Sequence, residues 1–524
     1  MNLFSLEFAI LLLATFILYY LLFAINKCAK RAIVPQWCAL LVASLVFYGF
    51  SNYVYLIYLG ISFLVSYSAA IFCQYKLFKR VANSETKEYE LNPKRVEEHQ
   101  TRRKYENIIT AISISVNVGI LAVLKYFNFF AGSVNSIFHL SLTTYNFIIP
   151  LGISFYTFSL IAYNIDCCKR TTKAEKNPLK FLLFVSYFPK ILQGPISSYK
   201  KLKEDGLFEK HSFKDNNYLK SFFRISIGLI KKIAIANVLN LYVNASYSNI
   251  DKTFGAGLLL TSFLYTIQLF CDFSGFADIT IGVSGLFGVK LEENFNIPYI
   301  SKSISEFWRR WHITLSAWLK KYIYIPLGGN KVPIWRWAIN ILIVWLVSGI
   351  WHGANWTFVV WGLFHGILIL LSGLPKQIKK RKGLSLSSKE SNKFIGVLSI
   401  IGTFVLVNVG WILFRSDSIY TAARFVWHMV KVWQPSTYSI FSDETISKAN
   451  WLFVFSLVLV LVLIVVRVIM NYQSTILSKT KHREVISIIS KYAVTIAFFV
   501  IAIFAFTYLN SMGGGESSFI YFDF

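Results

Sequence analysis

Of the eight histidines in this chain, three fall where tryptophan is densest. His312 follows Trp308 and Trp311. His352 follows Trp351, and His365 follows Trp356 and Trp361. His352 sits in Ser348-Gly349-Ile350-Trp351-His352-Gly353-Ala354-Asn355-Trp356, at the break between two apolar runs. Glycines nearby admit close approach of backbone or substrate. A desolvated imidazole there titrates near neutrality and can act as a general base. The structural alternative is a histidine that hydrogen-bonds two helices together. His365, in mid-helix among Trp and Phe, reads as a packing residue. The spacing predicts one helix over 305–316, with Ser305, Arg309, His312 and Ser316 on one face and Trp308, Trp311, Leu315 and Leu319 on another. Arg and His at membrane depth must face a cavity or pair internally. The alternative is an interfacial helix with snorkelling arginines. A third polar face joins Gln268, Asp272, Gly275 and Ile279. Asp272 and Asp278 are ionisable groups in an apolar run. They either line a cavity or, the favoured reading, neutralise Arg309 and Arg310.

Other chemistries leave no trace. The chain has no G-x-x-x-x-G-K-[ST], no H-E-x-x-H and no G-x-S-x-G. Its six cysteines form no C-x-x-C pair and read as small buried hydrophobes. An enzyme built from these parts would use histidine chemistry on a bound acyl donor, without a metal.

The elements that must hold these residues are membrane helices. The chain has 524 residues, 55% hydrophobic and 15% charged, where a soluble domain averages about 25% charged. Mean hydropathy is +0.53. Disorder, a small disulfide scaffold and an ordinary cytosolic enzyme are excluded. Twelve candidate spans follow: 4–25, 36–51, 53–75, 107–125, 147–166, 218–245, 256–287, 335–350, 355–373, 394–414, 450–470 and 486–510. The segment 256–287 is long and glycine-containing, so a bend or break is expected there; 418–433 is a weaker thirteenth candidate. Residues 179–196 and 299–328 read as re-entrant or interfacial helices around a cavity. The first apolar run, with no cleavage site after it, reads as a retained span. There is no internal repeat of the inverted-transporter kind.

The formal charge of +27 would suit nucleic acid, but the basic residues lie in short loops. Residues 76–106 hold nine Lys/Arg and six Glu, and 374–393 hold seven Lys/Arg and one Glu. Lys27, Lys30 and Arg31, Lys169 and Arg170, and Lys479, Lys481 and Arg483 complete the set. All fall on the cytoplasmic side if there are twelve spans with both termini outside. These runs read as solvated loops, with contact to a coenzyme or anionic lipid as the alternative.

The run from Tyr299 through Trp308-Arg309-Arg310-Trp311-His312 to Asn330 resembles the membrane-bound O-acyltransferase family. So do Gly349-Ile-Trp-His352-Gly-Ala-Asn-Trp356 and Trp361-Gly-Leu-Phe-His365-Gly366. Supporting pieces stand in the family's order: Pro150–Tyr156, Phe188–Pro195, Gln268–Gly275 and Glu293–Asn296, with the ending Phe519–Phe524. Cys271 is a departure, since many relatives carry Phe or Tyr there. The chain is most similar to the bacterial alginate O-acetyltransferase-like branch; the teichoic-acid D-alanylation branch shares the two His motifs.

The resemblance implies an all-α polytopic fold: a helical bundle around a funnel, as one domain over 1–524. Its signature core would be about 147–373, with peripheral spans in 1–125 and 394–510. It implies His352 as the catalytic residue and His312 as a second active-site residue. Arg309, Arg310, Ser316, Gln268, Asp272, Trp351, Asn355 and Trp308 are candidates for holding substrate or donor. Acetyl-coenzyme A would be the donor, with no bound cofactor. The acceptor would be a hydroxyl on an exported polysaccharide or on a partner acetyltransferase at the outer face of the cytoplasmic (inner) membrane. The rival readings are acyl transfer from a carrier-protein thioester, as in D-alanylation, and an acyl-group transporter without chemistry.

Overall fold

The computed structural model describes residues 5–31, 33–76, 93–381, 393–431, 450–476 and 481–511. Among the expected features, Lys79, Arg80, Lys87, Lys382, Lys479 and the ending Phe519–Phe524 lie outside the described residues. So do the side chains of Lys76, Lys94, Arg95, Lys379, Lys380, Arg381, Lys481 and Arg483.

The described chain is helical, with a single isolated β-bridge between Phe295 and Trp311. Eight helices among the described residues are long and apolar enough to cross a membrane: Leu6–Cys28, Tyr53–Gln74, Thr101–Phe138, Ala256–Leu286, Ile334–His352, Trp356–Pro375, Lys393–Arg415 and Tyr492–Ser511. That is fewer than the twelve spans expected, and the reasons are local. Trp37–Ser51 is apolar but shorter, and Asn450–Ile476 is one helix whose side chains beyond Val466 lie outside the described residues. The 147–166 segment begins as irregular chain and becomes helical only over Ile153–Cys168. The 218–245 segment is helical but carries Lys220, Arg224, Lys231 and Lys232, and is wound as a π-helix over Ile230–Asn237. The weaker candidate at 418–433 is a helix of 13 residues, Ile419–Lys431. Of the bend or break expected in 256–287, the break is absent: Ala256–Leu286 is one unbroken helix.

The chain divides into two compact units. The first comprises Met1–Asn217 with Ser284–Glu292. Its core is a chain of edge-on aromatic rings: Phe8 on Phe47 and Phe188, and Phe188 on Phe287. Such ring pairs add about 0.5–1.5 kcal/mol each beyond burial. The 179–196 stretch is broken as expected. Helix Pro178–Ser186 stops at Tyr187 and a short helix, Phe188–Ile191, follows. The break is tolerated because it is buried: Tyr187 packs in the core and its hydroxyl meets that of Ser284 at 2.8 Å.

The second unit comprises Tyr218–Val283 with Glu293–Phe524 and contains every site residue expected from the sequence. Ile334–His352 and Trp356–Arg381 form an antiparallel pair in intimate contact. A Cβ on Gly349 would stand 2.3 Å from the Phe358 carbonyl oxygen, and one on Gly362 would stand 2.4 Å from that of Trp345. Real side chains never come so close, so glycine is required at both crossing points. Asn355 turns the corner: its side-chain oxygen accepts from the Thr357 N–H at 3.0 Å, and its amide donates to the Asp417 carbonyl at 2.9 Å.

Candidate active site

His352 is the last residue of the Ile334–His352 helix and is 4% exposed. Three rings meet its imidazole edge-on: Trp351 and Trp361, each at 5.0 Å between centroids, and Phe414 at 5.3 Å. Gly353 lets the Phe358 ring close that wall, since a Cβ there would lie 2.3 Å from it. Of the two flanking glycines, Gly349 admits the Phe358 backbone and Gly353 the Phe358 ring.

His312 reaches the same place by an unexpected backbone path. Ser303 caps a short helix, Ile304–Arg310, by accepting from the Glu306 N–H at 3.2 Å. The helix then ends. Trp311 is extended and bridges to Phe295, and His312 is left-handed at φ 44° and ψ 55° before a new helix, Ile313–Leu319. The single helix expected over 305–316 is therefore corrected to two. The common face proposed for Ser305, Arg309, His312 and Ser316 does not exist. Left-handed geometry in a residue with a Cβ costs about 1–2 kcal/mol and persists only where surroundings impose it. Here the extended 293–296 segment imposes it. The Asn294 carbonyl accepts from the Ile313 N–H at 3.0 Å, and its side chain accepts from the Thr314 hydroxyl at 2.7 Å.

His312 is 1% exposed, and neither ring nitrogen has a hydrogen-bond partner among the described residues. It stands edge-on to Phe273 at 4.7 Å and to Trp351 at 6.0 Å. It lies outside the eight spanning helices, and burial drives its pKa down to about 3. The imidazole is neutral at physiological pH. Trp351 thus touches both histidines, and the two imidazoles belong to one aromatic chamber.

The remaining candidates divide. Trp308 belongs to the wall: its indole N–H donates to His365 Nδ1 at 3.3 Å, and its ring meets Trp361 at 5.6 Å. His365 is fully buried there as a packing residue. Gln268 is buried, donates to Asn240 at 2.9 Å and keeps a buried amide oxygen with no partner among the described residues. Asn355 is occupied as a cap. Ser316 is half-buried one turn after His312, with its N–H bonded to the His312 carbonyl. Arg309 is exposed. Arg310 pairs with Glu306 at 2.8 Å.

The ion pairs expected between the aspartates and these arginines are corrected. Asp272 pairs with Lys232 at 2.5 Å, and Asp278 with Arg224 and Lys231, each at 2.6 Å. The lysines arrive from the Ile230–Asn237 π-helical stretch, which a span-by-span reading of hydropathy does not register. Trp361 and Phe414 were not singled out as site residues, although Trp361 stands in a motif that was. Its indole N–H is buried beside His352, with no hydrogen-bond partner among the described residues. Phe414, distant in sequence, gave no signal. Among the described residues no group of three or more His, Cys, Asp or Glu is placed to hold a metal.

A many-helix membrane protein with two buried imidazoles in one tryptophan-walled chamber is the class defined so far. Comparison with known proteins places it further. The description "MBOAT, membrane-bound O-acyltransferase family" matches residues 133–381. The chain is 32% identical over 440 residues to the peptidoglycan O-acetyltransferase of Helicobacter pylori, covering 78% of this chain and 76% of that one. It is 35% identical over 347 residues to the probable alginate O-acetylase AlgI of Azotobacter vinelandii, covering 65% of this chain and 64% of the relative. It is 30% identical over 291 residues to the teichoic acid D-alanyltransferase of Bacillus subtilis, covering 53% and 71%. The match thus spans just under two thirds of the length of the alginate O-acetylase. The chain belongs to the membrane-bound O-acyltransferase family, and its likeness is to the alginate O-acetylase branch.

Proposed function

We propose that this protein is a membrane O-acyltransferase that moves an acetyl group from acetyl-coenzyme A to a hydroxyl of an exported polysaccharide or of a partner acetyltransferase at the outer face of the cytoplasmic membrane. The observation that carries the reading is the pair of buried imidazoles on either side of Trp351. The names of the relatives support acetyl as the group transferred.

His352 takes the proton of the attacking hydroxyl as its oxygen bonds to the thioester carbonyl. The C–S bond then breaks and the thiolate leaves with that proton. General-base assistance of this kind contributes about 10²–10⁴ in rate. The developing oxyanion needs a donor in a dry site. The unpartnered indole N–H of Trp361 and the neutral imidazole of His312, in its N–H tautomeric orientation, are both suited to it. One such donor is worth about 10²–10³. Arg309, exposed and basic, suits the phosphates of the donor.

The test uses purified protein in liposomes, given free acetyl-coenzyme A and a hydroxyl acceptor. Wild type should transfer acetyl, and His352→Ala should lose the activity while reaching the membrane at normal level. Near-normal transfer by that variant would sink the assignment. Activity only with a loaded carrier protein would identify the carrier-thioester reading instead. Acyl passage with no thioester cleavage would identify a transporter.

A further inference from the structure

The segment Glu293–Asn296, which sets the backbone of His312, has no helix of its own. The chain is non-helical from Val289 to Ile297, and Glu293 is where it re-enters the second unit. Two residues with a Cβ are left-handed around it: Ile297 at φ 43° and ψ 65°, and His312 at φ 44° and ψ 55°. Such side chains do not choose that region. The segment must be held from outside.

At the Asn296 end the hold is Arg310. The Asn296 N–H donates to the Arg310 carbonyl at 2.9 Å, and the Arg310 guanidinium donates back to the Asn296 carbonyl at 3.3 Å. At the Glu293 end the hold is Arg224, from helix Tyr218–Leu229. Arg224 Nη1 and Nη2 donate to the two Glu293 carboxylate oxygens at 2.7 and 2.5 Å, and Nε donates to Asp278 at 2.6 Å. All three guanidinium nitrogens are thus engaged by two carboxylates. Asp278 is buried on the Ala256–Leu286 helix, so the clamp is anchored on a long regular element. Lys231 holds the other Asp278 oxygen at 2.6 Å. The planar fork of arginine suits a bridge between two carboxylates; a lysine ammonium is a point charge.

Stability does not account for this arrangement. The Glu293 side chain is 54% exposed, and ion pairs open to solvent add little. What the fork fixes is a place. Asn294 follows Glu293 directly and is buried; its carbonyl accepts from the Ile313 N–H, and its side-chain oxygen accepts from the Thr314 N–H and hydroxyl. Those two residues follow His312. One fork, one step of backbone and these hydrogen bonds therefore join Arg224 to the His312 backbone.

We propose that Arg224 is a positioning residue for His312: by clamping Glu293 to the Ala256–Leu286 helix it keeps Asn294 bonded to Ile313 and Thr314, and so keeps His312 in its left-handed seat beside Trp351. The effect on rate rests on the acyl-transfer reading; the effect on the backbone does not.

Amide hydrogen exchange on the full-length protein in detergent, read by mass spectrometry, tests the backbone part. Glu293→Gln keeps the shape of a half-exposed side chain and loses the charged fork. Arg224→Lys keeps the charge and loses the fork. Both should speed exchange at Ile313 and Thr314 by about tenfold, with the Ala256–Leu286 helix unmoved. In the liposome assay with acetyl-coenzyme A, both should lower kcat by about tenfold, since a misplacement of about 1 Å can cost about 10²-fold. KM for the donor should not change. Placed in His312→Asn, Glu293→Gln should lower the residual kcat no further, because the residue it acts through is already gone. Should Arg224→Lys fail to fold, Glu293→Gln decides alone. Unchanged exchange at Ile313 and Thr314 in Glu293→Gln overturns the clamp. An equal loss of kcat in the wild-type and His312→Asn backgrounds overturns the route through His312. Faster exchange in the variant, with no acetyl transfer even by wild type, upholds the clamp and sinks the transfer reading alone.

Discussion

At the scale of single residues, His312 is the most constrained position. Its backbone is left-handed and its ring is dry. The two demands separate by substitution. Asparagine tolerates this backbone region, so His312→Asn should melt near wild type while losing most acetyl transfer. His312→Val should melt lower, by about 1–2 kcal/mol of backbone strain, whatever its activity. The imidazole also has a pH signature. Its folded pKa of about 3 lies below the ordinary 6.5, so the unfolded chain takes up the proton first. The stability contributed by a neutral His312 is complete above about 6.5 and is lost as pH falls toward 3. Thermal melts across that window should show wild type losing stability more steeply than His312→Asn.

At the scale of elements, two helix contacts hold the chamber in shape. The first is the glycine crossing of Ile334–His352 with Trp356–Arg381. Because a Cβ at Gly362 would meet backbone rather than a movable side chain, Gly362→Ala should destabilise by about 1–3 kcal/mol or more. It should also lower transfer by displacing His352 and Trp361 together. The second contact joins the π-helical stretch to Ala256–Leu286 through Lys232 and Asp272, both buried. Removing one member of a buried pair costs about 3–5 kcal/mol, whereas replacing both by apolar groups is often neutral. Lys232→Met should therefore melt far lower than wild type, and Lys232→Met with Asp272→Leu should recover much of the loss. Recovery of stability without recovery of transfer would show that Asp272 also serves the reaction.

At the scale of the whole molecule, what has to be established is orientation. With twelve spans and both termini outside, the expectation from the basic loops, the end of the Leu6–Cys28 helix would lie in the cytoplasm. Nature has supplied a probe, since Cys28 is exposed while Cys73, Cys167 and Cys271 are buried. In a variant retaining Cys28 alone, a membrane-impermeant maleimide should label inside-out vesicles and spare intact spheroplasts. The reverse pattern would invert the proposed direction of transfer.

Much of this was legible in the residues themselves. Apolar length announced the membrane helices, and the Trp-His motifs announced the two imidazoles, because hydropathy and local chemistry are carried by consecutive residues. Charge pairing was not legible in that way. The sequence offers Arg309 and Arg310 as obvious partners for Asp272 and Asp278, yet Glu306, one helical turn from Arg310, takes that arginine first, and the π-helical lysines meet the aspartates. Helical periodicity also misled at 305–316, because the pattern continues through a point where a long-range bridge to Phe295 breaks the helix. The sequence by itself determined that the chain is a helical membrane protein with two Trp-His motifs. Only the tertiary structure decided that His312 and His352 share one indole and that Phe414 and Phe273 wall them in, since such contacts join residues far apart along the chain and no local preference encodes them.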